Sequence, residues 1–197
     1  MPTRDATPEL IVRNATAWRR WLDRQHASST GVRLVLAKKG VTVPTSLSYA
    51  EALELALAYG WIDGQTGKRD ESTWTIRFTP RRPRSQWSKR NVGIVERLIS
   101  AGQMQPAGLA EVERAKADGR WAAAYDGSAT ITVPDDLAAA LAANPEAAAM
   151  FERLSSQNRY SVLYRITTAK RPETRQRRIE QFVEMLARGE TVHPQRG

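Results

Sequence analysis

The stretch Ser72-Thr73-Trp74-Thr75-Ile76-Arg77-Phe78-Thr79-Pro80-Arg81-Arg82-Pro83-Arg84-Ser85-Gln86-Trp87-Ser88 decides how this chain is read. Its first half alternates, with Trp74, Ile76 and Phe78 on one side and Thr75, Arg77 and Thr79 on the other, which is the period of a half-buried strand. Pro80 and Pro83 then disfavour helix just before each of them. Beyond Ser88 the apolar residues Val92, Val95, Leu98 and Ile99 recur at helical spacing, so a helix is expected from Ser88 to Ala101, stopped by Gly102. A strand therefore passes through a stiff basic turn into a helix. Arg81, Arg82, Arg84, Lys89 and Arg90 gather at that helix start, where backbone N–H groups lack intrahelical partners. Such a turn is either an anion site or a helix start that is basic for structural reasons.

Upstream, Trp61 to Gln65 reads as a second strand, joined to the first by the polar run Thr66 to Glu71. Ser48 and Glu51 form a capping box for the helix before it, and Gly60 ends that helix as a C′ glycine. Asn14 caps a helix to about His26, carrying Trp18, Trp21 and Leu22 on one face, and Thr30 to Lys38 alternates as a strand. Downstream, Pro106 opens a helix through Ala117. Thr130 to Val133 reads as a short strand, and from Pro134 the chain turns alanine-rich. Helices are expected over Asn144–Leu154, Asn158–Lys170 and Pro172–Arg188, with a tail from Thr191. The fold class is α+β: predominantly helical, a small mostly antiparallel sheet in the N-terminal half, and a C-terminal helical subdomain. The expected division is residues 1–133 as the α+β core and 134–197 as the helical subdomain.

The 197 residues carry a net charge of +9 and no cysteine. That excludes disulfides, thiolate catalysis and cysteine-bound zinc, and it agrees with a reducing, cytoplasmic setting. Neither a signal-peptide core nor a run of about 20 apolar residues is present. The positive balance favours encounter with nucleic acid, anionic surfaces or acidic molecules, although Arg-rich chains are also basic without binding polyanions.

Catalytic signatures are missing: no nucleophile elbow, P-loop or dinucleotide fingerprint appears, so no enzymatic activity is assigned. The two histidines, His26 and His193, have no metal-ligand partner at useful spacing, and neither a metal nor a cofactor is expected. Two basic clusters and one acid remain. The first cluster is the turn itself, with Ser85 and Ser88 adding hydroxyls and Trp87 a ring face. The second is a helical face on which Arg171, Arg175 and Arg178 recur at i, i+4 and i+7, and a solvated surface accounts for that spacing equally well. The acid, Asp63, follows Trp61 where a helix hands over to a strand; it reads as a turn or salt-bridge residue, or as a general base with Arg81 or Arg84 as electrophile.

The ordered motifs Tyr59-Gly60-Trp61-Ile62-Asp63-Gly64, Phe78-Thr79-Pro80-Arg81-Arg82, Ser85-Gln86-Trp87-Ser88, Gly119-Arg120-Trp121 and Ala169-Lys170-Arg171 resemble the YdeI/OmpD-associated family of bacterial proteins, over most of the chain from Trp18 to Gly189. The resemblance implies a soluble bacterial protein with a stress or bacteriocin-protection context, and it supplies no catalytic residues. The expected activity is binding of an anionic small molecule or protein partner. Its ligand-binding residues would be Trp61, Asp63, Arg77, Arg81, Arg84, Ser85, Trp87, Ser88, Arg171 and Arg175, with the tryptophans offering stacking faces. The alternative is nucleic-acid binding through both clusters, which for about five neutralised phosphates predicts a log–log salt slope near −4.5.

Overall fold

A computed structural model of the chain describes residues 7–195. Among them lie four strands and eight helices, in the order β1 (Glu9–Leu10), α1 (Ala15–Gln25), β2 (Val32–Ala37), α2 (Tyr49–Ala58), β3 (Trp61–Lys68), β4 (Thr73–Pro80), α3 (Lys89–Ser100), α4 (Pro106–Ala117), α5 (Asp135–Ala142), α6 (Pro145–Glu152), α7 (Ser156–Thr167) and α8 (Pro172–Ala187). The chain divides into two units. One contains the residues up to Trp87 together with Asn91–Ala123; the other contains Ser88–Arg90 and the residues from Ala124.

The first unit is built on a sheet of order β1-β2-β4-β3. β2 and β3 both run antiparallel to β4, and the two-residue β1 is parallel to β2. The alternation read from β4 holds in its second half, where Ile76 and Phe78 are buried and sit opposite Leu34 and Val32 of β2; in the first half Thr75, expected outward, is buried too. Phe78 meets Trp18 of α1, with ring centroids 5.8 Å apart. Leu22 of α1 and Leu53 and Leu57 of α2 are also buried, and Trp18 donates its indole N–H to the Ala52 carbonyl at 3.1 Å. Trp74, expected to face that core, is half-buried at the strand's start beside Tyr49. The caps form as read. Asn14 accepts from Ala17 N–H, Ser48 and Glu51 make the reciprocal capping box, and Gly60 has φ +77° after α2.

Gly108 fixes how closely α4 approaches α2. A Cβ there would lie 2.2 Å from the Ala58 carbonyl oxygen, so only glycine allows the approach. Tyr59 is buried, and its hydroxyl donates to Asp23. Burial first, and then that bond, push its pKa up to about 12.

The second unit packs Leu137 and Leu141 of α5, Met150 and Phe151 of α6, Val162, Leu163 and Ile166 of α7, and Ile179, Phe182 and Leu186 of α8 into a core of its own. One expectation fails here. Thr130 to Val133 forms no strand, because no partner strand is offered to it; Ile131 and Val133 instead pack on the helical core. The helix expected from the Asn144 cap forms as α6, and a further helix, α5, precedes it in the alanine-rich stretch. The end of the chain is also more than a tail. Buried Asn158 donates to the His193 carbonyl at 3.0 Å and accepts from His193 N–H at 2.8 Å, which holds residues 191–195 against α7.

Candidate functional site

The strand-to-turn passage read from the sequence forms one wall of a concavity of about 590 Å³ in the first unit. It is lined by Thr30, Gly64, Gln65, Arg77, Thr79, Pro80, Arg81, Arg82, Pro83 and Ser85. Three of these residues are cationic, three carry hydroxyls and none is acidic.

Local structure explains the shape. Between Asp63, opposite Phe78, and Thr66, opposite Ile76, the two residues Gly64 and Gln65 face Arg77 alone, so β3 bulges there. Bulges bend a strand and re-aim its side chains, and they gather beside sites. Arg77 also sits directly across from Arg33 of β2, a like-charge pairing that costs free energy unless counter-charge is near. After β4, Arg81 N–H donates to the Gly60 carbonyl at 3.0 Å. The Pro83 turn then closes with Ser85 N–H on the Arg82 carbonyl and Arg82 N–H on Ser85 Oγ at 3.0 Å. This turn leaves the Arg82 side chain exposed, with no hydrogen bond or ion pair among the described residues.

Arg81 is held from below. It is only 5% exposed, its guanidinium carbon lies 3.5 Å from the centroid of the Trp87 ring, and Nη1 donates to the Gln86 carbonyl at 3.1 Å. The other neighbour of Trp87 is Trp121, edge-on at 4.8 Å. Arg120 ties the turn down by donating to the Ser85 carbonyl at 2.7 Å.

The ten residues singled out from the sequence are thus sorted. Arg77, Arg81 and Ser85 line the concavity. Trp61 and Trp87 do not: both are buried, and their rings are occupied by Trp21 and by Arg81 with Trp121. A ligand-stacking role for either is corrected to a packing role, because no ring face is left open. Asp63 accepts from the Tyr49 hydroxyl at 2.8 Å and does not line the concavity. Arg84 is exposed on the turn and does not line the concavity. Ser88 belongs to the second unit, where it bridges to Tyr125. The first helical N–H after it, that of Lys89, already donates to the Tyr125 carbonyl at 2.9 Å.

Arg171 and Arg175 also lie in the second unit. Arg175 grips both carboxylate oxygens of Asp136, at 2.5 and 2.8 Å, and donates Nη1 to the Ile166 carbonyl at 3.1 Å. That hydrogen bond to Arg175 is the main reason the Asp136 pKa is lowered. Arg178 donates to the Arg165 carbonyl. The arginine face of α8 therefore satisfies carbonyls in the last turn of α7, where cations are favoured by the helix dipole. Arg171 remains exposed at the N-cap of α8.

Sequence reading missed Thr30, Gly64, Gln65, Thr79, Pro80 and Pro83 as lining residues, and it placed Arg82 in the basic cluster without naming it for binding. The bulge and the return of the chain near Thr30 left no local pattern to find. Among the described residues no group of three or more acidic or histidine side chains could hold a metal ion, and no helix is long and apolar enough to cross a membrane.

Residues 10–111, just over half of the chain, match a family model described as a domain of unknown function (DUF8412), and the chain belongs to that family. Residues 130–189 match the model described as "Bacteriocin-protection, YdeI or OmpD-Associated". The resemblance read from the motifs is borne out there, over a shorter span than Trp18 to Gly189. The segment with Trp61-Ile62-Asp63 and Pro80-Arg81-Arg82 falls under the first model. No curated protein and no solved structure matches the chain.

Proposed function

We propose that this protein binds anionic groups in the concavity of Arg77, Arg81 and Arg82, and that it does so in a bacteriocin- or stress-protection role. One observation carries the reading: three arginines and the hydroxyls of Thr30, Thr79 and Ser85 line a single concavity whose lining includes no acidic residue. Arg81 is preorganised by its stack on Trp87, so less side-chain freedom is lost on binding. Exposed Arg82 supplies a guanidinium that a ligand can recruit.

Magnitudes set the kind of ligand. Hydrogen bonds to charged groups contribute roughly 1.5–3 kcal/mol each, against an association cost of about 4–15 kcal/mol. A lone phosphate or carboxylate therefore binds at about millimolar strength at best. Tighter binding needs further contact area, which the buried tryptophans do not supply. The protection role rests on the description of the family model that matches residues 130–189.

Calorimetry with phosphate, pyrophosphate and glutamate tests the site. Wild type is expected to bind at least one of them weakly, and Arg82→Ala to weaken that binding about tenfold, or about 1.4 kcal/mol. Absence of heat with every anion at about 10 mM, with the protein folded, sinks the reading.

A further inference from the structure

β3 is a sheet edge. It pairs only with β4, and residues 61–68 make no backbone hydrogen bond to any other described segment. Gly64, Gln65 and Thr66 are exposed, so the outer rim of this strand is open to solvent. An open edge is a template for another extended chain, whose backbone supplies the missing donors and acceptors.

Two concavities flank this one edge. Gly64 and Gln65 line the first, which is basic, beside Arg77, Arg81 and Arg82. Thr66, Gly67 and Lys68 line a second of about 730 Å³ that carries both signs, with Lys38 and Arg69 beside Asp70 and Glu71. In that second concavity Arg69 is paired with Glu9 and Asp70, and Lys38 donates to the Asp70 carbonyl. The exposed Lys68 side chain has no hydrogen bond or ion pair among the described residues. Across the bulge, Gly64 sits opposite Arg77 and Lys68 opposite Trp74, which are three residues apart on β4, about 10 Å at roughly 3.3 Å per residue. That odd spacing puts the two positions on opposite faces of the sheet.

We propose that the β3 edge captures an extended acidic segment of a partner protein, which adds to the sheet as a fifth strand. One carboxylate enters the Arg77–Arg82 concavity and a second, three residues along on the other face of the added strand, reaches Lys68. This deepens the anion-binding reading above and rests on it. The bulge at Gly64-Gln65 ends regular pairing at the first concavity, so the added strand is short and its charges set the register.

Charge complementarity selects this occupant. A second copy of the chain pairing antiparallel through its own β3 would bring Lys68 toward the other copy's arginine concavity, like charge against like. A nucleic acid offers no backbone donors and acceptors in strand register. Trp61 and Trp87, moreover, are buried, so bases find neither ring to stack on.

The test is fluorescence anisotropy on the full chain. The probe is a labelled Val/Thr peptide with two glutamates separated by two residues. Two further probes carry N-methyl groups on one or the other alternating set of backbone amides, keeping every charge. Binding of the parent peptide is expected, with one methylated set abolishing it and the other tolerated. Shifting the second glutamate by one residue, Lys68→Glu and Arg82→Glu should each weaken it about tenfold. Indifference to both methylated sets overturns the strand addition, leaving charge attraction alone. So does tighter binding of an oligothymidine probe. If the peptide does not bind but phosphate or pyrophosphate still gives heat, the edge inference fails and the anion site survives. If neither binds to a folded protein, both fail.

Discussion

The Arg81 guanidinium lies flat against the Trp87 ring, 3.5 Å from its centroid, and both side chains are buried. The most basic turn of the chain is thereby anchored by one of its own cations. The same pair leaves Arg82, the next residue, pointing to solvent at the rim of the concavity.

Arg81 is therefore expected to matter for stability first. A desolvated cation–π contact contributes about 2 kcal/mol and a charged hydrogen bond about 1.5–3 kcal/mol. Arg81→Ala should lower the unfolding free energy by about 2–4 kcal/mol in urea denaturation. Arg81→Lys should recover less than half, because a compact ammonium cannot stack as a planar guanidinium does. Full recovery by lysine would show that charge alone matters there.

Arg82 should behave in the opposite way. Its side chain is exposed and bonds to nothing described, so Arg82→Ala should leave the urea midpoint within about 0.5 kcal/mol of wild type. Its measurable effect should be on anion binding. A loss of stability equal to that of Arg81→Ala would place Arg82 in the fold instead.

The Arg175–Asp136 fork makes a pH prediction for the second unit. Asp136 has a lowered pKa, chiefly through the hydrogen bond from Arg175. A depressed carboxylate adds stability above its unfolded pKa, and that contribution is lost as pH falls through the folded value. Asp136→Asn should thus be less stable than wild type at neutral pH, and the two curves should converge below the ordinary carboxylate range. Partial exposure keeps the difference small, about 1 kcal/mol or less. A gap that persists unchanged at low pH would exclude the ion pair as its cause.

Gly108→Ala should destabilise the first unit although alanine is the better helix former by about 1 kcal/mol. The new Cβ would meet the Ala58 carbonyl at 2.2 Å, so α4 must move off α2. Overpacking against backbone costs about 1–3 kcal/mol, and thermal unfolding of the variant measures it. A Tm at or above wild type would mean that α4 moves away freely.

Asn158→Ala removes a buried amide that serves the chain end, leaving the His193 N–H and carbonyl without it. A cost of about 2–3 kcal/mol is expected, with faster proteolysis of the C-terminal residues. Unchanged protease resistance would show that the end is held by other contacts.

Much of this protein was legible in local pattern. The alternation from Ile76 to Thr79 fixed which face of the second half of β4 is buried. The Ser48–Glu51 box, Asn14 and Gly60 placed helix ends, because a cap is a contract between residues three or four apart. The clustering of cations after Phe78 pointed to the wall of the concavity.

Local pattern could not say which of those cations is exposed. Arg81 and Arg82 are neighbours of the same type, and only the packing of Trp87 between Arg81 and Trp121 buries one and not the other. Arg175 and Arg178 keep the spacing of a solvated face, yet they close the end of another helix, since their acceptors lie nine and thirteen residues away. The bulge opposite Arg77 and the arrival of Thr30 depend on strand register, which no single strand's sequence contains. The sequence by itself determined most of the elements, their caps and the basic turn. Only the tertiary structure decided which guanidiniums are structural and which can meet an anion, because burial depends on what packs against a side chain from elsewhere in the chain.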